Sequence, residues 1–594
     1  MNAETQDVFE YIKSEEVKWK TERVPLTNSK DWSMYEHIQR CTNVSNGWFH
    51  SGKNDGLRPY NDLVTPIINV AFRSEGFDVK DIVPYVNDAA NYYKSFLVKK
   101  YHPRWARAHQ LDTFIDEVVE TSVIYDLVLV KDVSQVRPEV VDLKTIAFCD
   151  QSDVLSAPLC IRHQYTPSEL NAFRAKWNSE AIDIAIKEAT QVTKVSIADD
   201  QTAQTNTKYI EVYELRGQLP STWLDKEAGM FEYSPQMHIV CFYTDSKGGK
   251  SGLVLFQGKD KPLDVAFKAL KIDQVRSKGR ACGRSIVETL FEPQVWNNYA
   301  GIKIKDLLDS AITVFQTSSD TFGNQKLTDL ATNTVLKHED NRPVTKLDGT
   351  VQNLPAFTNY QNEQAQNARI LGSASEGSLG QNPVSGTPFA LQALIVQEGQ
   401  GIHDYRQGKI ATFFADVLYP SMILKYLVRD MNKGKKFAED LSLDELQEIA
   451  DTIVTNEVNQ DIKNLILEGK EVSPEIMSTL FDVKKKTFMK GGTRRFFEIL
   501  ENELEDIPLD VYVNIKGKQK RTAENADKLS NMISFFLRGG VPITALAKPM
   551  NELLEDSGLS PIDFSAIVSP VQPTALPAPI QPNALPEQPL AIAQ

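Results

Sequence analysis

Three groups of residues in this chain have the types that chemistry uses. The first is Asp245-Ser246-Lys247-Gly248-Gly249-Lys250-Ser251, a glycine–lysine turn of the sort that can cradle phosphate. A phosphate loop needs a further glycine five residues before its Gly-Lys pair, so that backbone N–H groups converge on one anion. Here that position is Thr244. The flanks, His238–Tyr243 and Leu253–Phe256, read as two strands, which makes the glycine-rich piece a hairpin turn. The second group is the histidines, at 37, 50, 102, 109, 163, 238, 338 and 403. No two have HExxH or HxxxH spacing, so packing and surface roles are expected and no metal site is. The third is the cysteines, Cys41, Cys149, Cys160, Cys241 and Cys282, odd in number and without CxxC spacing. They suggest neither a zinc knuckle nor a disulfide framework, and a reducing compartment fits them best.

The remaining candidates are weaker. Acidic groups such as Asp306/Asp309 and Glu501/Glu503/Glu505 read as solvated helix faces. No GxSxG elbow occurs, and the Ser- and Gly-rich stretch from Gly372 to Gly386 lacks a strand–turn–helix setting. The chain is therefore expected not to be an enzyme, with no catalytic residue, no metal ligand and no cofactor.

Composition agrees with a globular, non-gripping protein. The 594 residues are 41% hydrophobic and 24% charged, ample for buried cores. The formal charge of −14 and pI of about 5.3 exclude a protein that holds nucleic acid over most of its surface. They do not exclude one that lets DNA pass by. The opening residues are polar and acidic, without a secretory apolar run, and no stretch has 18 uninterrupted apolar residues, so no membrane partner is expected.

The elements that would carry any function follow from periodicity. Residues 1–130 read as mostly helical, with an apolar run after Arg58-Pro59-Tyr60-Asn61 and a helix marked by Phe114, Ile115, Val118, Val119 and Ser122. Val128–Val130, Val140–Asp142 and Leu159–Tyr165 read as extended. Thr166-Pro167-Ser168-Glu169 is a capping box that starts a helix. Residues 208–260 return to strands, with period-two alternation in Tyr209–Tyr213. From Ile286 a helical stripe runs through Val287, Leu290, Phe291, Val295, Tyr299, Ile302, Leu307, Leu308, Ile312 and Phe315, with Pro293 kinking it or starting its main part. Residues 316–356 are polar and turn-rich. The helix from Tyr360 to Leu371 is rich in Gln and Asn and needs neighbours to stay folded. Ser373–Thr387 is a flexible Ser/Gly loop, and a loop that long inside a helical region is a functional candidate. A long helix opens at Pro388, with a bend expected at Gly399 and Gly401 and a buried second half, Ala411–Val428. Later residues are largely helical, apart from one short strand at Asp510–Ile515. The tail from Ser569 has seven prolines in 26 residues and reads as extended.

This order resembles that of the tailed-bacteriophage portal proteins, the head-to-tail connectors of the capsid. The matching pieces are Arg58-Pro59-Tyr60-Asn61, Val128–Val130 with Val140–Asp142, Tyr165–Leu170, the entry Gly283-Arg284-Ser285-Ile286-Val287-Glu288 with Gln294, Asn297 and Asn298, and Pro383–Pro388. Asp126 is a departure, since family members often have Gly after the Tyr. The resemblance implies an α+β fold: a portal-like wing with mixed strands and helices (1–283), stem helices at 284–315 and 357–372, and a small clip (316–356). It also implies a channel loop (373–387), a long kinked helix (388–430) and a mostly helical crown (431–560), before the Pro-rich tail (561–594). It implies a ring of twelve at one capsid vertex of the virion, assembled in the host cytoplasm, which passes double-stranded DNA during packaging and ejection. Terminase, the major capsid protein and a tail adaptor or head-completion protein are the implied partners. The channel loop would present Ser373, Ser375, Glu376, Gly377, Ser378, Gly380, Gln381, Asn382, Ser385 and Gly386. Lys303 and Lys305 are candidate channel-facing charges, with subunit-interface salt bridges as the alternative. Asn324, Lys326, His338, Asp340 and Arg342 would form the clip's partner contact. Two other readings stand beside this one: a capsid-vertex scaffold without DNA passage, and a nucleic-acid enzyme.

Overall fold

The computed structural model describes residues 3–25, 31–47, 60–86, 92–189, 193–197, 201–205, 209–229, 231–244, 250–274, 277–310, 314–316, 345–347, 354–374, 401–440, 443–467, 474–490, 494–499 and 509–513. It is a mixed α+β chain in two units, residues 1–435 with 499–515, and residues 436–498 with 516–594.

The first unit begins with α1 (Ala3–Thr21), the pair β1 (Val24–Pro25) and β2 (Asp31–Trp32), α2 (Met34–Ser45) and α3 (Val64–Glu75). Next come β3 (Ile82–Val86), α4 (Tyr92–Ala108), α5 (Leu111–Tyr125), β4 (Val128–Lys131), β5 (Glu139–Val140), β6 (Ile146–Phe148) and β7 (Leu159–Tyr165). Helices α6 (Pro167–Ala172) and α7 (Ser179–Ala189) lead to a hairpin of β8 (Thr193–Ile197) and β9 (Gln201–Thr205). The long strands β10 (Ile210–Pro220), β11 (Tyr233–Thr244) and β12 (Lys250–Lys259) follow, then α8 (Leu263–Ala266) and β13 (Phe267–Leu270). Helix α9 (Ile286–Ser310), the pair β14 (Val314–Gln316) and β15 (Thr345–Leu347), α10 (Leu354–Leu371) and α11 (Gly401–Met431) complete the run. The second unit contains β16 (Lys435–Asp440), α12 (Leu443–Leu467), α13 (Pro474–Lys490) and β17 (Arg494–Ile499), with β16 beside β17 and Lys484 of α13 paired to Asp461 of α12. The last described strand, β18 (Leu509–Val513), returns to the first unit and pairs antiparallel with β3.

The centre of the first unit is α5. Its apolar residues recur at the i, i+3, i+4 and i+7 spacing that keeps one stripe inward, and Phe114, Ile115, Val118, Val119 and Ser122 are all buried as the periodicity predicts. Helices α2, α3, α4 and α9 pack around it. Beside this helical layer lies a five-stranded antiparallel sheet in the order β12-β11-β10-β7-β6. One face carries α7 on a core of Leu170, Ile182, Ala185, Val212, Ile239, Cys241 and Leu255. Against the other face, Phe9 of α1 meets Phe242 edge-on at 4.4 Å, and Phe242 meets Tyr213 at 4.9 Å. Cover on both faces is why β10 departs from the expected alternation and buries Val212, Tyr213, Glu214 and Leu215 in succession.

The turn that follows β11 settles the first of the chemical candidates. Thr244 pairs with Lys250 at the end of the antiparallel β11–β12 ladder, and Lys250 begins a strand rather than a helix, while residues 245–249 lie outside the described residues. The expected capping box is present: Thr166 Oγ1 accepts from the Glu169 N–H at 3.3 Å, and the Glu169 carboxylate accepts from the Thr166 N–H at 2.8 Å. Among the described residues, all five cysteines are free thiols.

Helix α11 has the length and apolar composition to cross a membrane, and it is mostly enclosed by the first unit. Its second half is buried at Phe413, Phe414, Leu418, Tyr419, Met422, Ile423 and Leu427. Gly399 lies outside the described residues. The departure from α geometry lies further on, at Phe413–Ile423, where the turns widen to a π-helix around Pro420. Proline has no N–H, and its ring collides with the carbonyl four residues back in a regular α-helix, so a wider turn relieves the clash.

Candidate functional site

Helices α9 and α10 pack side by side, and the β14–β15 pair connects their far ends. The 25 residues of α9 make it about 37 Å long at 1.5 Å per residue. Its start is well fixed. Ser285 Oγ caps the first turn by accepting from the Glu288 N–H at 2.9 Å. The Glu288 carboxylate takes two hydrogen bonds from the Arg280 guanidinium, at 3.0 and 2.5 Å. Ile286, Val287 and Leu290 are buried in the core of the unit.

The expected apolar stripe then changes character. The buried face continues as Gln294, Asn297 and Asn298, all fully enclosed, while Tyr299 and Leu308 are 48% and 55% exposed. No residue from 301 to 308 is buried. The polar face has a partner in the backbone of Asn61–Leu63. The carboxamides of Gln294 and Asn297 both donate to the Asn61 carbonyl, at 2.8 and 2.9 Å. Gln294 Oε1 accepts from the Leu63 N–H at 2.9 Å, and Asn298 Oδ1 accepts from the Asn61 N–H at 3.3 Å. Residues more than two hundred positions apart are thereby locked at the root of the hairpin, and buried carboxamides are tolerated because most of their polar atoms are paired. Among the described residues the outer half of α9 is therefore incompletely covered.

Helix α10 shows this deficit most clearly. Of its 18 residues only Ala368 is buried, and Ile370 and Leu371 at its end are 75% and 47% exposed. At Gly372 the chain passes so close to α3 that an added Cβ would lie 2.2 Å from Ile67 Cγ2. Ser373 then takes a left-handed backbone (φ 51°) and Ala374 is buried.

Helix α11 is held by a charged network. Arg406 Nε donates to both Glu75 oxygens at 2.9 and 3.0 Å, Nη1 to Asp126 at 2.8 Å, and Nη2 to the Ser122 carbonyl at 2.9 Å. His403 Nδ1 lies 3.0 Å from Glu75. The carboxylate side chains of Glu75 and Asp126 are fully enclosed. Burial opposes the charge on Arg406, but the two carboxylates beside it hold the guanidinium firmly protonated. Burial also pushes the Asp126 carboxyl up to about 6, against the pull of Arg406 and of the Asp273 N–H. Asp126 is left-handed (φ 52°) at the end of α5, a position that suits Gly, and Asp tolerates it better than most residues. The Asp126 side chain reaches Arg406 and the Asp273 N–H, while its carbonyl accepts from the Gly283 N–H at 3.2 Å. A Cβ at Gly283 would lie 1.7 Å from Asp126 Oδ2.

Sequence reasoning missed Glu75 and Arg406. The signal was present, since His403, Arg406, Gln407 and Ile410 share one face of α11, and a polar set at core spacing on an apolar helix implies buried partners. A second network lies at the sheet. Glu214 accepts from Lys131 at 2.5 Å and sits 2.8 Å from His163 Nε2, with Arg216 at 2.6 Å. Burial alone would raise the Glu214 carboxyl, but the His163 contact and the charges of Lys131 and Arg216 hold it well below the usual carboxylate range.

Of the sequence-derived site residues, Ser373 is at the exit of α10 and Lys303 is half-buried on α9, its Nζ 5.6 Å from the Tyr299 ring centroid. Lys305 lies on the same half-covered stretch of α9. Ser375, Glu376, Gly377, Ser378, Gly380, Gln381, Asn382, Ser385 and Gly386 lie outside the described residues, as do Asn324, Lys326, His338, Asp340 and Arg342. The same holds for Arg58, Pro59, the helices read at 523–537 and 543–554, and the tail. Among the described residues His37 forms a catalytic lookalike, with its Nε2 3.6 Å from Cys41 Sγ and 3.9 Å from Glu288. Burial lowers the imidazole to about 4 and raises the thiol to about 12, so the pair is held neutral and enclosed. Among the described residues no cluster of metal-ligating side chains occurs. No family model matches the chain, and no curated protein matches it in sequence.

Proposed function

We propose that this chain is a portal protein: a non-enzymatic subunit of a ring, twelve copies in its implied form, through which double-stranded DNA is packaged, retained and ejected at one capsid vertex. The observation that carries the reading is α10, a helix of 18 residues with a single buried side chain. Among the described residues α9 is the helix it packs against most, and identical neighbours standing beside it would supply further cover. The residues of the portal resemblance also converge in space. Asn61 meets Gln294, Asn297 and Asn298, although they are remote from it in sequence. This convergence supports reading α9 and α10 as stem helices, residues 316–356 as clip and residues 373–387 as channel loop.

The charge suits a conduit. Twelve copies at −14 give a formal −168. Each cation that neutralises a phosphate adds affinity through counterion release, so a wall poor in Lys and Arg lets a duplex slide. Lys303 and Lys305 are candidates for either a channel-facing or a subunit-interface role on α9. A phosphate loop, the strongest argument for an enzyme, is opposed by the β11–β12 hairpin. Terminase, major capsid protein and a tail adaptor are the partners this reading entails.

Deletion of residues 375–385 tests it in a packaging complementation. Rings should still assemble while DNA packaging or retention fails. Normal packaging by the deletion variant would refute the channel role and favour a vertex scaffold.

A further inference from the structure

Although the chain has a formal charge of −14, part of its first unit carries a local run of basic residues. Helix α4 contains Lys94, Lys99, Lys100, Arg104 and Arg107 and no acidic residue. The end of α11 and the turn after it add Lys425, Arg429 and Lys433. The two stretches are joined directly, because Tyr101 Oη donates to Asp430 Oδ2 at 2.9 Å. Lys261 and Lys425 converge from different elements on the enclosed carboxylate of Asp132, at 3.6 and 3.1 Å.

Geometry keeps this charge outward. Lys100, Arg104 and Arg107 recur at i, i+4 and i+7 and so form one ridge along α4. Lys99, Arg104, Arg107, Lys425, Arg429 and Lys433 are all exposed. On α11, Lys425 and Arg429 flank the Tyr426 ring, 5.1 and 5.3 Å from its centroid, which steadies both heads at the surface. None of the large exposed apolar side chains among the described residues falls within residues 94–108 or Leu424–Met431. A bilayer-binding surface would need such residues to insert.

We propose that this basic surface binds the phosphate backbone of double-stranded DNA from the side, without sequence preference and without a free DNA end. The cations are spread along two joined helices rather than gathered in a pocket, which suits a linear polyanion better than a single phosphate group. Binding would proceed by counterion release, with affinity set by the number of phosphates neutralised. The inference does not depend on the portal reading, since a lone molecule would carry the same surface.

The test uses the full-length protein and two probes, a labelled linear duplex of about 30 base pairs and a covalently closed circular duplex, which cannot thread through a closed ring. With about four phosphate contacts per subunit, raising salt from about 50 to about 200 mM should weaken binding by roughly 100-fold. Both probes should bind, and the variant Lys99→Glu/Arg107→Glu/Arg429→Glu/Lys433→Glu should lose both. An equal charge change at Lys18, Lys20, Lys176 and Lys278, which are also exposed, should leave binding within about threefold. Should the reversal variant fail to fold, the Gln set at the same four positions serves instead and should flatten the salt dependence. No binding at low salt, binding of the linear probe alone, undiminished binding by the variant, or capture of anionic phosphatidylserine vesicles in preference to duplex would each overturn the proposal. Ring formation, imaged on the same samples, reports separately on the portal reading.

Discussion

Replacing Arg406 by Met removes the guanidinium that neutralises two enclosed carboxylates while keeping most of the side-chain volume. Arg406 makes hydrogen bonds to Glu75, Asp126 and Ser122, and both acidic side chains have no solvent exposure. Breaking a buried pair by removing one partner typically destabilises by about 3–5 kcal/mol, because the remaining charge is stranded. The first unit holds about 450 residues. At an unfolding entropy of about 2.1 cal/mol/K per residue, each kcal/mol shifts the melting temperature of such a unit by about 1 °C. Arg406→Met should therefore lower the Tm at pH 7 by about 3–5 °C, measured by differential scanning calorimetry. A second signature distinguishes stranded charge from lost packing. At about pH 5 the freed carboxylates take up protons more readily, so the deficit should shrink. A Tm loss under about 1 °C at pH 7 would refute the assignment of Arg406 as the anchor of α11, and a deficit that does not change with pH would refute the stranded-charge explanation.

Other outcomes follow from the same networks. Burial lowers His37, His102 and His238 from 6.5 to about 4, so the unfolded chain binds their protons first and stability is lost as pH falls from 6.5 towards 4. Asp126, raised to about 6, acts in the opposite sense and offsets about 1 kcal/mol. From pH 7 to pH 5 the net loss should be roughly 4 kcal/mol by denaturant titration, and a flat profile would contradict the burial of these imidazoles. Gly283→Ala places a Cβ 1.7 Å from Asp126 Oδ2 and should displace that carboxylate, destabilising by about 2–4 kcal/mol. Gly408→Ala has open space around its Cβ inside α11 and should stabilise by about 0.5–1 kcal/mol. Equal effects of the two glycine variants on Tm would show that the Gly283–Asp126 contact is not what it seems from the geometry.

Much of the architecture was readable in the residues because single helices and hairpins announce themselves locally. The stripe of α5, the capping box at Thr166 and the hairpin after β11 depend on neighbours a few positions away. The strand pair β14–β15 and the return of β18 to β3 were not legible, since pairing between segments far apart in sequence is decided by tertiary contact. The stripe of α9 misled for a related reason. Tyr299 and Leu308 have core-type side chains but are about half exposed among the described residues. Its buried face is instead polar, because the Asn61–Leu63 backbone needs donors and acceptors there. Asp126 looked like a mere departure from a family pattern. Its left-handed backbone and its bond to Arg406 explain why that position carries a side chain at all.

The central claim is that the α9–α10 hairpin is completed by further copies of the same chain. Electron microscopy of the purified full-length protein tests it most directly. The account predicts closed rings whose central hole is near the width of a DNA duplex, with the hairpins of adjacent subunits packed side by side. Monodisperse single molecules across salt, pH and protein concentration, with α10 standing folded and uncovered, would contradict it.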